Sequence, residues 1–231
     1  SMVVVSSMRV NENEVKSLVE VLEVRFLANR DANLHFARLT DFPDAHQETL
    51  PSDEGLMKLA KTCIDELNTK YGKENNIFFL FHRPRVWSKH DHKWMGHERK
   101  RGKLADLNAL LRGHEPDKFS LIVVAYQSLG PVKYIITLDT DTQLPRDAAW
   151  KLVGTMAHPL NQPYYNEKKL RVTEGYGILQ PRVSVSLPDA TSALYIRMHA
   201  SEPGIETYTR LTSDLCQDLF RKGSFIGKGI Y

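Results

Sequence analysis

The chain has 231 residues, 42% of them hydrophobic and 26% charged, a composition that can fill a buried core in one large domain or two small ones. A formal charge of +3 is too small to argue for nucleic acid unless the basic residues are gathered in one place. Cys63 and Cys216 are too few for a disulfide framework and match no zinc spacing, so a reducing, cytosolic setting is the default. The longest apolar run, 121–126, is too short to span a bilayer, and no secretory leader is evident.

In chain order, residues 3–5 read as a short buried strand. A helix is expected over 11–29, with Val15, Leu18, Val19, Leu22 and Phe26 on one stripe. Residues 33–45 form a strand ending in Asp41 and Asp44, with Pro43 preventing its continuation. The clearest helix covers 52–72, with Ser52 as N-cap and Leu56, Leu59, Ala60, Cys63, Ile64 and Leu67 inward. Cys63 then reads as a small core residue rather than a reactive one. A strand over 76–83, a helix over 103–113 closed by Gly113 and a strand over 119–126 follow. Residues 134–138 form another apolar strand, and Pro145 opens a helix over 146–158. A strand over 175–186 and helices over 191–200 and 212–220 complete the pattern. Strands alternating with helices predict an α/β fold with a largely parallel sheet, whose ligands bind beyond the carboxyl ends of the strands. Asp41, Asp44, Asp139 and Asp141 all fall there.

The stretch "YIITLDTDTQLP" places two carboxylates two residues apart, and positions i and i+2 of an extended chain share a face. Charges so close repel unless a cation lies between them. A hard divalent ion, Mg²⁺ or Mn²⁺, suits oxygen ligands and is commonly shared with phosphates. The plainer alternative is that one aspartate caps the helix at 146. In "WMGHERKRGKLADLN", Arg99, Lys100, Arg101 and Lys103 surround Gly102 just before a helix, a pattern suited to a diphosphate and also to a solvated basic loop. His90, His92 and His97 lie between lysines without a partner cluster, which favours an exposed loop over a transition-metal site. The tail "FRKGSFIGKGIY" lacks phosphate-loop spacing and reads as a substrate-facing loop or a turn.

Together with "LVEVLEVRFLANRDANLHFARLTDFPDA" and "GYGILQPRVSVSLP", these segments resemble a glycosyltransferase of the GT-A-like nucleotide-sugar fold. More closely, they are similar to the glycosyltransferase domain of the cyclic β-1,2-glucan synthase family, glycosyltransferase family 84. The resemblance implies a mixed, mostly parallel, Rossmann-like sheet with flanking helices, with residues 1–130 as the nucleotide-binding half and 131–231 carrying the D-x-D pair and the start of the acceptor half. It implies UDP-glucose as donor and a β-1,2-glucan as acceptor. Asp41 and Asp44 would contact uridine, and Asp139 and Asp141 would hold Mg²⁺ or Mn²⁺ on the diphosphate. Lys100, Gly102 and Asn108 match the family's K-x-G-N-L-N element, with Lys103 in place of its first asparagine and Arg101 assisting at the diphosphate. Trp94, Met95 and Gly96 fit the family pattern, whereas the histidines around them are peculiar to this chain.

Turning an α-linked donor into a β-linked product requires a general base on the face opposite the leaving group. In the family that carboxylate, and an R-W element, are expected beyond the GKGIY segment. No catalytic residue is therefore assigned in this chain. It is expected to be a soluble, C-terminally truncated piece of a large enzyme at the cytoplasmic face of the bacterial inner membrane, with the rest of that enzyme as its partner. Two rival readings remain. One is a haloacid-dehalogenase-like phosphohydrolase, in which a threonine would stand where this chain has Gln143, with Thr142 one residue early. The other is a non-catalytic sugar- or partner-binding module.

Overall fold

Alternation along the first strand, β1 (Met2–Met8), sets the layers. Val3 and Val5 point to one face and Met2 and Val4 to the other, and all four are fully buried. The computed structural model describes residues 1–8, 11–72, 76–114, 116–124, 129–181 and 227–231. Around β1 lie β2 (His35–Asp41), β3 (Phe78–His82), β6 (Leu121–Val123), β7 (Ile135–Leu138) and β10 (Gly229–Ile230) in one sheet of order β10-β7-β1-β2-β3-β6. The four inner strands are parallel and both edge strands antiparallel.

On one face, Val3, Val5, Phe36, Phe78 and Ile136 pack under α1 (Glu12–Ala28), α2 (Asp53–Tyr71) and α4 (Ala148–Ala157). On the other, Met2, Val4, Leu39, Phe79 and Phe81 pack under α3 (Arg99–Leu111) through Leu107 and Leu110. A mixed α/β fold of Rossmann-like type results, as the strand–helix alternation predicts. Two small hairpins lie outside the sheet: β4 (Val86–Ser88) with β5 (Lys93–Met95), and β8 (Tyr164–Asn166) with β9 (Arg171–Glu174). Among the described residues no helix is long and apolar enough to cross a membrane.

Several local expectations change. Ser52 makes no side-chain cap at α2. The neighbouring Asp53 accepts from Leu50 N at 2.8 Å and pairs with buried Arg85 at 2.5 Å, so the turn is closed one residue later. The predicted stripe of α2 is buried at Leu56, Ala60, Ile64 and Leu67, while Cys63 is half-buried, with its thiol pKa pushed up by burial and by Glu66. Helix α3 begins at Arg99 rather than 103. It closes in a Schellman turn: Gly113 has φ 82°, its N–H bonds to Leu110 O, and His114 N bonds to Ala109 O. Helix α4 begins at Ala148 rather than 146, and Asp147 before it has φ 60°. Of the strand predicted over 175–186, the described part to 181 forms only a bridge between Leu179 and Ile230. The helices predicted over 191–200 and 212–220, and Cys216, lie outside the described residues. The hairpins leave no periodic signal because each strand has only three or four residues, with β4, β8 and β9 largely exposed and β5 half-buried.

Candidate functional site

Strand order reverses direction at β1: β2 and β3 are laid down on one side of it, and the chain then returns to place β7 on the other. Such a switch point leaves a crevice beyond the carboxyl ends of the strands that flank it. A cleft of about 640 Å³ opens there. Its walls are Ser6 and Ser7 from the end of β1, Asp41 closing β2, Lys100 and Lys103 from the first turns of α3, and Asp139, Thr140 and Asp141 after β7. Arg99 at the start of α3 and Glu14, Ser17 and Leu18 of α1 complete the rim.

Parallel register explains the convergence. Met8 pairs with Asp41, and Val5 pairs with Leu138. Ser6 and Ser7 therefore run on beyond the end of β7, where the chain turns away and presents Asp139.

Asp139 is half-buried and held by two ammonium groups. Lys100 Nζ bonds its Oδ1, and Lys228 Nζ lies 3.5 Å from Oδ2. Lys100 Nζ also donates to Gly227 O at 2.5 Å, and Thr137 Oγ1 donates to the same carbonyl at 3.1 Å. The end of the chain is thereby tied to the acidic loop. Asp141 is exposed, and Thr142 Oγ1 donates to it at 3.3 Å. Neither aspartate caps α4, whose first turn is served by Asn29: its Oδ1 accepts from Ala149 N at 3.0 Å.

The basic segment is not a loop before a helix but the helix's own first turns. Helical spacing then divides its charges, because residues three apart share a face and neighbours do not. Lys100 and Lys103 face the cleft, while Arg101 points outward to Glu98 at 3.2 Å and is 84% exposed. Lys103 is buried; its Nζ donates to Ser7 O and to Asp41 Oδ1, both at 2.9 Å. Burial lowers the Lys103 pKa, with Asp41 opposing the shift. Gly102 is inside α3, its N–H donating to Glu98 O at 3.1 Å, and a Cβ there would lie 2.2 Å from His97 O. Its role here is close packing of the preceding turn. Asn108 sits farther along α3, where its Oδ1 accepts from Tyr231 Oη at 3.3 Å.

The acidic pair after β2 divides too. Asp41 is 2% exposed, with Lys103 on Oδ1 and Arg83 Nη2 3.5 Å from Oδ2. Asp44 stands off the cleft wall, between Lys93 and Arg99, each at 2.8 Å. The hydrogen bond from Lys93, with the charges of both partners, holds its carboxyl below the usual range. Its Oδ1 is buried and has no hydrogen-bond partner among the described residues. His90 and His92 lie in the exposed β4–β5 turn and His97 just before α3.

Two supporting residues have no sequence motif. Arg25 of α1 is 2% exposed, and its guanidinium donates to three carbonyls of the acidic loop: Asp139 O at 3.2 Å, Thr140 O at 2.8 Å and Thr142 O at 2.5 Å. Burial pushes its pKa down to about 10, with Asp141 opposing, so it remains charged at neutral pH. Arg83, just after β3, links Asp106 at 2.5 Å to Asp41 and donates to His97 O at 2.9 Å, joining α3 to the β2 end. A basic residue inside the apolar stripe of a helix, as Arg25 is beside Leu22 and Phe26, was the only available signal. Among the described residues no three His, Cys, Asp or Glu side chains are close enough to hold a metal by themselves. Any metal here would need ligands beyond Asp139 and Asp141, as an ion shared with a phosphate has.

These features define a Rossmann-like α/β domain with a charged cleft at its topological switch point. No protein-family model matches the chain. Over its whole length, in an alignment of 233 residues, the chain is 41% identical to the cyclic β-(1,2)-glucan synthase NdvB of Rhizobium meliloti (strain 1021), and it spans 8% of that protein. The chain is therefore related to a short segment of that much longer synthase.

Proposed function

We propose that the chain forms the nucleotide-sugar half of a UDP-glucose-dependent, inverting β-1,2-glucosyltransferase. The observation that carries the reading is the meeting of Asp139 and Asp141 with Lys100 and Lys103 across one switch-point cleft. Adjacent acids and ammonium groups suit a ligand that brings both signs, as a metal diphosphate does. The relation to a glucan synthase supports glucose chemistry.

Asp139 and Asp141 offer the hard oxygen donors that Mg²⁺ or Mn²⁺ takes, and Asp139 already accommodates positive charge beside it. Such an ion, when bound, neutralises charge on a departing diphosphate. Lys100 is placed to turn from Asp139 to a phosphate oxygen by side-chain rotation alone. Lys103 and Arg83 hold Asp41 in place, and Arg25 keeps the acidic loop at the cleft mouth. Asp41 and Asp44 are assigned to the uridine in this reading, at and just beyond the end of β2. Arg101, Gly102 and Asn108 act through α3 in this reading, not by facing the cleft.

Inversion requires a base on the acceptor side. We assign none of this chain's residues to it; the remainder of a longer enzyme supplies it, and the growing β-1,2-glucan meets it there. Calorimetry of UDP with Mn²⁺ tests the reading. Binding is expected, weakened at least tenfold by Asp139→Ala and by Lys100→Ala. No heat at saturating UDP and Mn²⁺ would overturn it, and glucan made by this chain alone would overturn the placement of the base.

A further inference from the structure

At the opposite end of the sheet the surface carries a second set of features that the cleft does not use. Asn33 and Leu34 run into the start of β2, and Asp147 precedes α4, with its N–H on Ala28 O at 3.1 Å. Between them lies a hollow of about 190 Å³, edged by Ser1, Arg30, Asp31, Asn33, Asp147 and Trp150, with the Ser1 ammonium donating to Asn33 O at 2.8 Å. Trp150 is 68% exposed. The same indole also borders a wider groove of about 620 Å³ along α4, with Lys151, Thr155, His158, Leu160 and Asn161. One aromatic side chain thus separates two adjoining depressions.

The chemistry is mixed in a particular way. Asp147 is held at φ 60°, a conformation that side chains other than glycine adopt at a cost, and its carboxylate is 65% exposed. Asp31 uses Oδ1 to accept from Asn33 N at 2.7 Å. It also lies near enough to the Ser1 ammonium to favour the charged form of that group. Arg30 is steadied over the rings of Phe26 and Tyr71 at 5.4 and 5.8 Å. Beside the indole stand carboxylates, an amide and a guanidinium, all planar groups able to bond paired hydroxyls.

We propose that this surface is a second binding site, for an oligosaccharide, with Trp150 as its stacking platform. A pyranose ring has C–H bonds on its faces and hydroxyls around its rim. An exposed indole covers such a face, while Asp31, Asp147, Asn33 and Arg30 pair with the rim. A hollow this small holds one ring, below the roughly 300–1,000 Å³ of sites for larger ligands. Its continuation past Trp150 gives a chain's next rings somewhere to lie. Both signs of charge line it, so it selects neither an anion nor a cation. The choice of a β-1,2-linked glucan as ligand rests on the function proposed above; the site itself does not. It would hold polymer away from the reaction cleft, at the far end of the strands.

The chain's three tryptophans, Trp87, Trp94 and Trp150, give separate indole N–H signals in ¹H–¹⁵N spectra, with Trp150 assigned by Trp150→Phe. Titration with a β-1,2-linked glucotetraose is expected to shift the Trp150 signal saturably and leave the other two in place. Trp150→Ala and Asp147→Ala, both at exposed positions, are expected to weaken binding measured by calorimetry at least tenfold and about threefold. Trp150→Ala should not alter the melting temperature, and neither variant should alter the heat of UDP with Mn²⁺. An unmoved Trp150 signal at millimolar saccharide, shifts at Trp87 or Trp94 instead, or full affinity in Trp150→Ala would each overturn the proposal. Saccharide binding at Trp150 without UDP binding would uphold this site and sink the transferase reading; the reverse result would sink this site alone.

Discussion

Asp41 is the residue on which the cleft wall closes. Lys103 and Arg83 hold its two oxygens, and Gly96 passes so near that a Cβ there would sit 2.2 Å from Oδ2. An aspartate locked by two buried cations cannot yield, so Gly96→Ala is expected to lower stability by about 1–3 kcal/mol, the cost of an overpacked site. Urea denaturation would check it. Arg25→Met is expected to cost about 1–3 kcal/mol by leaving buried loop carbonyls without their donor. It should also weaken the Mn²⁺-dependent part of UDP binding while sparing UDP binding without metal, a split that calorimetry resolves. Asp44 titrates below an ordinary carboxyl because Lys93 and Arg99 favour its charged form. A depressed folded-state pKa stabilises the fold above the unfolded value of about 3.9 and is lost as pH falls through the folded value. The stability gap between the chain and Asp44→Asn should therefore be full above the unfolded value and vanish as pH falls through the lower folded one, followed by denaturant titration at each pH.

At the scale of elements, helices transmit position to the site. Asn29 joins two of them and a loop by its side chain: Nδ2 donates to Arg25 O at 3.1 Å and Leu144 O at 3.3 Å, and Oδ1 caps the first turn of α4. The end of α1, the acidic loop and the start of α4 thus move as one piece. Asn29→Ala is expected to cost about 1–2 kcal/mol, as lost caps do. Hydrogen exchange should quicken first at Ala149 and its neighbours and then in the acidic loop. Helix α3 shows the complementary device. One turn of helix sends Lys100 to Asp139 and Lys103 to Asp41, while Arg101 goes to solvent. A cluster that reads as one basic patch is distributed over three environments by its phase.

For the whole molecule, the cleft draws on β1, β2, α1, α3 and the loop after β7, so ligand binding there couples to global unfolding. A ligand that binds only the folded state stabilises it by about 2.7 kcal/mol at a hundred times its dissociation constant. UDP with Mn²⁺ is accordingly expected to raise the melting temperature in a concentration-dependent way, and Asp139→Ala should abolish the shift. Scanning calorimetry reads this directly. The sheet also runs unbroken across the boundary expected at 130, since β7 pairs with β1. The two halves share one core.

Much of this was legible in the residues alone. The period of α1 and α2, the apolar runs of β2, β3 and β7, and the acids at strand ends follow from local chemistry, because a buried stripe and a charged terminus leave their marks within a few positions. The hairpins were not legible, since such short strands carry no alternation. Nor were Arg25 and Arg83, whose partners lie at sequence separations that no pattern spans, 117 residues in the case of Arg25 and Thr142. Sequence by itself determined which chemistries are present and where strands stop. Only the tertiary structure decided that Asp139, Asp141, Lys100 and Lys103 share a cleft, while Asp44 and Arg101 stand outside it. Parallel register and helical phase set direction in space, and both depend on packing between distant segments.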